Sequence, residues 1–180
     1  MTSLRRGMET SCIGAILFVG TLLVGLGGVR ADEIKPEWMT FDPEKKVVQL
    51  VIVAAADGSN GTLNFNGFAR DELTITVPFG WKVEVEFTNK GLGALPHSLA
   101  VTEEMNPLPI QDGTIAFPRA TTVRFVAGLL PGESDSFSFT ANKEGRFLLW
   151  CGVPSHGVLG MWNYLVVSKG ASLPSITVKK

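Results

Sequence analysis

The chain has 180 residues, 45% of them hydrophobic and 18% charged, with a formal net charge of −1. That composition excludes a disordered polymer and a collagen-like repeat, and no basic excess marks a nucleic-acid binder. There are only 2 cysteines and 2 histidines, so at most one internal disulfide could form and any metal site built on three histidines is ruled out.

Residues 1–31 differ from everything after them. Arg5 and Arg6 precede an uncharged stretch, Ser11–Val29, and the segment closes on Val29-Arg30-Ala31. A charged start, an apolar middle and small residues at the end read as a secretory signal peptide cut before Asp32. An uncleaved anchor is the alternative, because the stretch is just long enough to span a bilayer. Gly14, Gly20, Gly25, Gly27 and Gly28 weaken it as a permanent span. Cleavage removes Cys12 and leaves Cys151 as the sole thiol of an exported domain. A mature chain of roughly 150 residues buries about 68–70% of its unfolded surface, enough to fold without a disulfide. Cys151 is therefore a candidate ligand or reactive thiol rather than a staple.

Residues 32–46 carry no assignable pattern and are expected to form an N-terminal extension to a single domain over 47–180. From there short β-branched and aromatic runs recur between Gly, Pro, Asn and Asp. In chain order the candidate strands are 46–54, 62–68, 73–77, 82–88, 97–102, 121–127, 134–140, 146–151 and 162–168. In 82–88 the alternation is strict, with Val83, Val85 and Phe87 on one face and Lys82, Glu84 and Glu86 on the other. Such period-two runs predict an all-β antiparallel sandwich or barrel. The stretch 103–120 is the longest irregular piece.

The chemistry-bearing residues gather near the C-terminus. Four residues separate Cys151 from His156, and four more separate His156 from Met161. Gly or Pro in each gap lets the loop curl its side chains toward one point. His97 opens a candidate strand and shares a face with Leu99 and Val101, as Cys151 does with Phe147 and Leu149. Antiparallel pairing can bring those two strand ends together. One thiolate, two imidazoles and a thioether then meet at one end of the sandwich. Trigonal His₂Cys with a long axial Met is the donor set of a mononuclear electron-transfer copper. A buried small cysteine, a core methionine and a surface histidine are the bland readings of the same residues one at a time. Their convergence favours the copper site.

The motif C-G-V-P-S-H-G-V-L-G-M-W, with L-P-H-S-L upstream, resembles type 1 (blue) copper proteins of the cupredoxin superfamily, and N-F-N-G at 64–67 resembles sulfocyanins in particular. Rusticyanin is similar in its Cys-to-His-to-Met spacing. The resemblance implies a Greek-key β-sandwich holding one copper ion on His97, Cys151, His156 and Met161. It implies a carrier of single electrons between redox proteins, among them membrane-bound respiratory components, and not an enzyme. It also implies that Ser98 bonds across to the cysteine loop, and that Asn64 and Asn66 position the ligand loops. Pro154, Val158 and Leu159 would form an apolar docking patch around His156. The expected protein is a monomer at the periplasm or the outer face of the membrane, binding no nucleic acid. A copper chaperone or storage protein is the competing function.

Overall fold

The alternation read in 82–88 becomes β5 (Lys82–Asn89), with Val83, Val85 and Phe87 buried and Lys82 and Glu86 exposed. The same rule makes β3 (Val47–Ala54), whose Val48, Leu50, Ile52 and Ala54 point inward. It also makes β4 (Leu73–Pro78), β7 (Ser134–Thr140) and β9 (Trp162–Ser168). The computed structural model describes residues 32–34 and 36–179; residues 1–31, read above as a signal peptide, lie outside the described residues. Four further strands are β1 (Asp32–Ile34), β2 (Met39–Asp42), β6 (Ala100–Glu103) and β10 (Ser175–Val178), and β8 spans Gly145–Trp150. They form two sheets, β1-β10-β4-β9-β8-β6 and β2-β3-β5-β7. From β3 to β8 each successive strand lies in the other sheet. The fold is the expected all-β sandwich.

Between the sheets the core includes Phe65, Phe87, Phe117 and Phe147, each 1% exposed. Phe117 stacks on Phe139 at 4.9 Å between ring centroids and meets Phe147 edge-on at 4.8 Å. Each such side chain contributes about 1.5–3 kcal/mol by leaving water. On β6 and β8 the core face carries Leu99, Val101, Phe147, Leu149 and then Cys151. That alternation aims Cys151 into the sandwich.

Several local expectations are corrected. Residues 62–68 are not a strand: a 3₁₀ turn (Ser59–Thr62) leads into a loop with only single bridges at Phe65. Asn66 and Gly67 take positive φ of 52° and 85°, which reverses the chain. Residues 121–127 make one bridge, from Thr121 to Ala100, and then turn, with Gly128 N–H donating to Arg124 O at 2.6 Å. Two pairings, β3 with β5 and β4 with β9, are parallel rather than antiparallel. Residues 32–46 supply β1 and β2, which pair with β10 and β3.

The irregular stretch after β6 also has a structural task. Val101 donates to Ala120 O at 2.8 Å, Glu103 to Thr114 O at 2.8 Å and Thr122 to Leu99 O at 2.9 Å. These bonds cover the outer edge of β6, which would otherwise present unpaired backbone to water.

Candidate metal centre

The site begins with strand register. Antiparallel β6 and β8 align Ala100 with Trp150, so the residues entering β6 lie beside those leaving β8. Those residues are His97 and Ser98 on one side and Cys151 and Gly152 on the other. His97 is pinned through its backbone: its N–H donates to Leu129 O at 3.0 Å and its carbonyl accepts from Leu129 N–H at 2.7 Å. Asn89, fully buried, donates to Leu129 O and Leu95 O, both at 2.9 Å, and so anchors the partner of that pair.

After β8 the chain closes a loop on itself. Cys151 N–H donates to Met161 O at 3.3 Å, Met161 N–H to His156 O at 2.9 Å, and His156 N–H to Val153 O at 3.1 Å. The backbone thus ties the thiol, the second imidazole and the thioether residue together. One ring nitrogen each of His97 and His156 and the Cys151 sulfur all lie within 4.8 Å of one another. The two imidazole centroids are 4.9 Å apart, and Cys151 Sγ sits 3.6 Å from His156 Nδ1. Met161 is 0% exposed, as are His97 and Cys151, while His156 keeps 7%. Three of the four expected ligands, His97, Cys151 and His156, thus converge at one end of the sandwich, and Met161 is tied to the same loop through its backbone.

Both ring nitrogens of His97 are buried and have no hydrogen-bond partner among the described residues. Buried polar atoms are almost always paired, because leaving one unpaired costs about 1–3 kcal/mol. Two orphaned nitrogens beside a buried thiol and a second imidazole fit a metal ion. The donor types, two imidazole nitrogens and one thiolate, suit copper, and the buried Met161 on the same loop offers a thioether as a further candidate donor. Burial, reinforced by the neighbouring His156, pushes the His97 pKa down to about 4, and burial lowers His156 as well. Both rings therefore stay neutral at pH 7, the form that binds metal. Burial pushes the Cys151 thiol up, against the opposing pull of N–H groups from Ser98 and Val153. Metal binding would then displace the thiol proton.

Ser98 lies where expected. Its N–H points at Cys151 Sγ at 3.5 Å, its Oγ is 3.8 Å from the sulfur, and that Oγ accepts Gly152 N–H at 3.0 Å. Asn64 and Asn66 act one step further out. Asn64 accepts from Ala56 and Gly67 N–H and donates to Asp57 O and Ser59 O. The Asn66 side chain accepts from Val53 N–H at 2.6 Å and donates to Val51 O at 3.0 Å, and its backbone N–H donates to Val53 O at 2.8 Å, so the residue extends the edge of β3. Neither bonds to the ligand loop. Asn60 does, donating to Leu159 O at 3.1 Å and accepting from Arg70 Nε at 3.1 Å. Its positive φ of 49° was the only local hint, and a sequence does not display it.

Two aromatic residues brace the loop, Phe125 and the Trp150 that adjoins Cys151 in sequence. Trp150, fully buried, donates its indole N–H to Asp112 O at 2.6 Å, and its ring fills the space where a Cβ at Gly157 would go. Phe125 occupies the corresponding space at Gly152. The 103–120 stretch also bonds the loop directly, through Asp112 N–H to Gly152 O at 3.1 Å and Ser155 N–H to Ile110 O at 2.7 Å. Rings and backbone bonds thus hold both Cys151 and His156 from outside. Pro154, Val158 and Leu159 project outward, Leu159 being 51% exposed, and Leu92 and Leu95 are exposed as well.

Residues 36–178 match the Sulfocyanin (SoxE) domain family. Sulfocyanin of Sulfolobus acidocaldarius is 32% identical over 141 residues, which span 74% of this chain and 70% of that protein. Among solved structures, reduced rusticyanin is similar at a TM-score of 0.48 and 25% identity, covering 68% of this chain and 80% of that one. Auracyanin A, a "blue" copper protein of Chloroflexus aurantiacus, is similar at 0.47 and 22%, covering 68% and 99%. By family and by sequence identity, the chain belongs to the sulfocyanins, within the cupredoxin superfamily.

Proposed function

We propose that this chain is an exported electron carrier that holds one type 1 copper ion on His97, Cys151, His156 and Met161 and passes single electrons between redox proteins. The observation that carries the reading is His97, whose two buried ring nitrogens lack a partner among the described residues, with one of them within 4.8 Å of Cys151 Sγ and a His156 ring nitrogen. When bound, the copper supplies a one-electron Cu(II)/Cu(I) couple.

The chain's own residues do the rest. His97 offers a neutral nitrogen from a position locked to Leu129, so the donor needs no rearrangement to bind. Cys151 gives up its proton and becomes the thiolate, with the Ser98 N–H aimed at its sulfur. Bonds from Ser98, Met161 and Asp112 hold the loop in place, and a donor set that cannot move favours fast electron exchange. Apolar neighbours Leu99, Val101, Leu149 and Val153 exclude water. Four protein donors leave no open position for a substrate, which favours a carrier over an enzyme. His156 is the slightly exposed member, and Pro154, Val158 and Leu159 around it form the apolar patch through which a redox partner would dock briefly. Export fits the signal-like residues 1–31 and places the carrier in the periplasm or on the outer membrane face, where membrane-bound respiratory components are candidate donors and acceptors.

The test is spectroscopic. Residues 32–180 loaded with Cu(II) should show an intense visible thiolate-to-copper absorption at one copper per chain. It should bleach and return reversibly on reduction and reoxidation, and it should be absent from Cys151→Ser. A colourless protein that takes up only Cu(I) would overturn the carrier in favour of copper handling.

A further inference from the structure

The rim of the apolar patch carries a charge placed with unusual care. The segments 91–99 and 151–161 contain no Asp, Glu, Lys or Arg, so the two loops around His156 carry no charge themselves, and the exposed Asp112 borders them on the side of the 103–120 stretch. Arg70 stands at its edge. Its backbone N–H donates to Gly160 O at 2.9 Å, and its side chain lies along Gly160, where a Cβ would collide with it. Its Nε donates to Asn60, whose amide also holds Leu159 O. Arg70 and Asn60 both sit at positive φ, 50° and 49°, which non-glycine residues seldom adopt. Two uncommon backbone conformations thus fix an exposed guanidinium against the ligand loop.

Among the described residues that guanidinium pairs with no carboxylate. Among the described residues Lys45, Lys82, Arg124, Lys143, Arg146, Lys169 and Lys179 each pair with an acid, and Arg70 does not. The adjacent Asp71 is taken by Lys179. On the other flank Lys90 lies near Asp57 and donates to Ala56 O at 2.7 Å, so its charge is offset locally. Arg70 is left as the uncompensated cation of the docking face.

We infer that Arg70 selects the redox partner, and that the partner is a redox protein bearing a carboxylate at the edge of an apolar docking centre. The inference rests on the carrier function proposed above. An unpaired rim charge works chiefly on encounter rate and orientation, whereas the apolar centre supplies contact. Arg70 suits this task because its planar fork accepts a carboxylate with two parallel bonds while its Nε stays on Asn60.

Small redox probes of opposite charge test it on the copper-loaded protein. Hexacyanoferrate(III), an anion, and tris(phenanthroline)cobalt(III), a cation, each oxidise the reduced protein, and stopped-flow absorbance reads the rate. With a trivalent anion about 8 Å from the guanidinium at moderate salt, Arg70→Gln should slow oxidation by the anion about two- to threefold. It should leave the cation's rate equal or slightly raised, and the difference should vanish at high salt. Arg70→Lys, which keeps the charge and loses the Asn60 bond, should restore the anion rate, and Lys46→Gln at the opposite end of β3 should change neither. Equal rates for Arg70→Gln and the parent with both probes would overturn the inference while leaving the carrier reading intact. Failure of the parent protein to exchange electrons with either probe would overturn both.

Discussion

At the end of the sandwich where His97 enters β6 and Cys151 leaves β8, polar atoms are buried without partners and aromatic rings fill the space beside glycines. The outward face of the β2-β3-β5-β7 sheet is built on the opposite plan. There Thr40 bonds Gln49, Gln49 bonds Glu84, and Lys82 pairs with Glu84, all of them wet and each partner within reach of water. The second arrangement adds little stability, because exposed ion pairs contribute about 0–1 kcal/mol, but nothing in it is left unsatisfied. The first gives up stability by burying the His97 ring with both nitrogens unpaired among the described residues, a cost that a bound metal would offset. A region that folds against its own interest marks the place where function sits.

The contrast is sharpest in acid. His97 has its pKa pushed from 6.5 down to about 4, so below 6.5 the unfolded chain takes up a proton that the folded metal-free chain refuses. Stability from this residue is therefore complete above about pH 6.5 and falls as pH drops toward 4. By linkage at 1.36 kcal/mol per pKa unit the loss reaches about 3 kcal/mol. The lowered His156 adds in the same direction. Urea titrations of metal-free protein at pH 7, 5.5 and 4 should show the falling midpoint. A copper-loaded sample should resist it, because the metal holds the imidazoles that protons would take. A flat pH profile in the metal-free protein would break the comparison.

Packing around the loop gives the next largest effect. Gly157→Ala places a methyl group into the Trp150 ring. Overpacking of this kind costs about 2 kcal/mol, seen as a lower urea midpoint. Because Trp150 adjoins Cys151, the visible absorption of the copper-loaded variant should shift as well. A variant as stable as the parent, with an unchanged spectrum, would show that the ring is not holding the loop. The wet face supplies the small end of the scale. Glu84→Gln removes the Lys82 pair and should leave both the unfolding midpoint and the copper spectrum where they were.

The site was more legible in the sequence than the fold around it. His97, Cys151, His156 and Met161 could be grouped because two histidines and one cysteine beyond residue 31 leave few ways to assemble a metal site, and because strand period alone aims His97 and Cys151 inward. The parallel pairing of β3 with β5 left no trace, since a strand buried on one face shows the same alternation beside a parallel or an antiparallel neighbour. Residues 62–68 have the composition of a strand, but Asn66 satisfies Val51 and Val53 with its side chain while its own backbone turns back. Side-chain mimicry of a strand edge is invisible to pattern reading. The short strands β1, β2 and β10 carry too few residues for periodicity to register. The brace on the ligand loop was hidden for a different reason: Trp150 and Asp112 are distant in sequence, and their bond uses a backbone carbonyl that any residue could supply.

The central claim is that one copper ion is held by a prebuilt set of donors that does not rearrange when an electron moves. X-ray absorption at the copper edge, recorded on the oxidised and the reduced protein, tests it most directly. Two nitrogen donors and one short sulfur bond should appear in both states, with near-identical distances and loss of the short sulfur bond in Cys151→Ser. Loss of a nitrogen donor on reduction, or a site without the short sulfur bond in the parent protein, would contradict it.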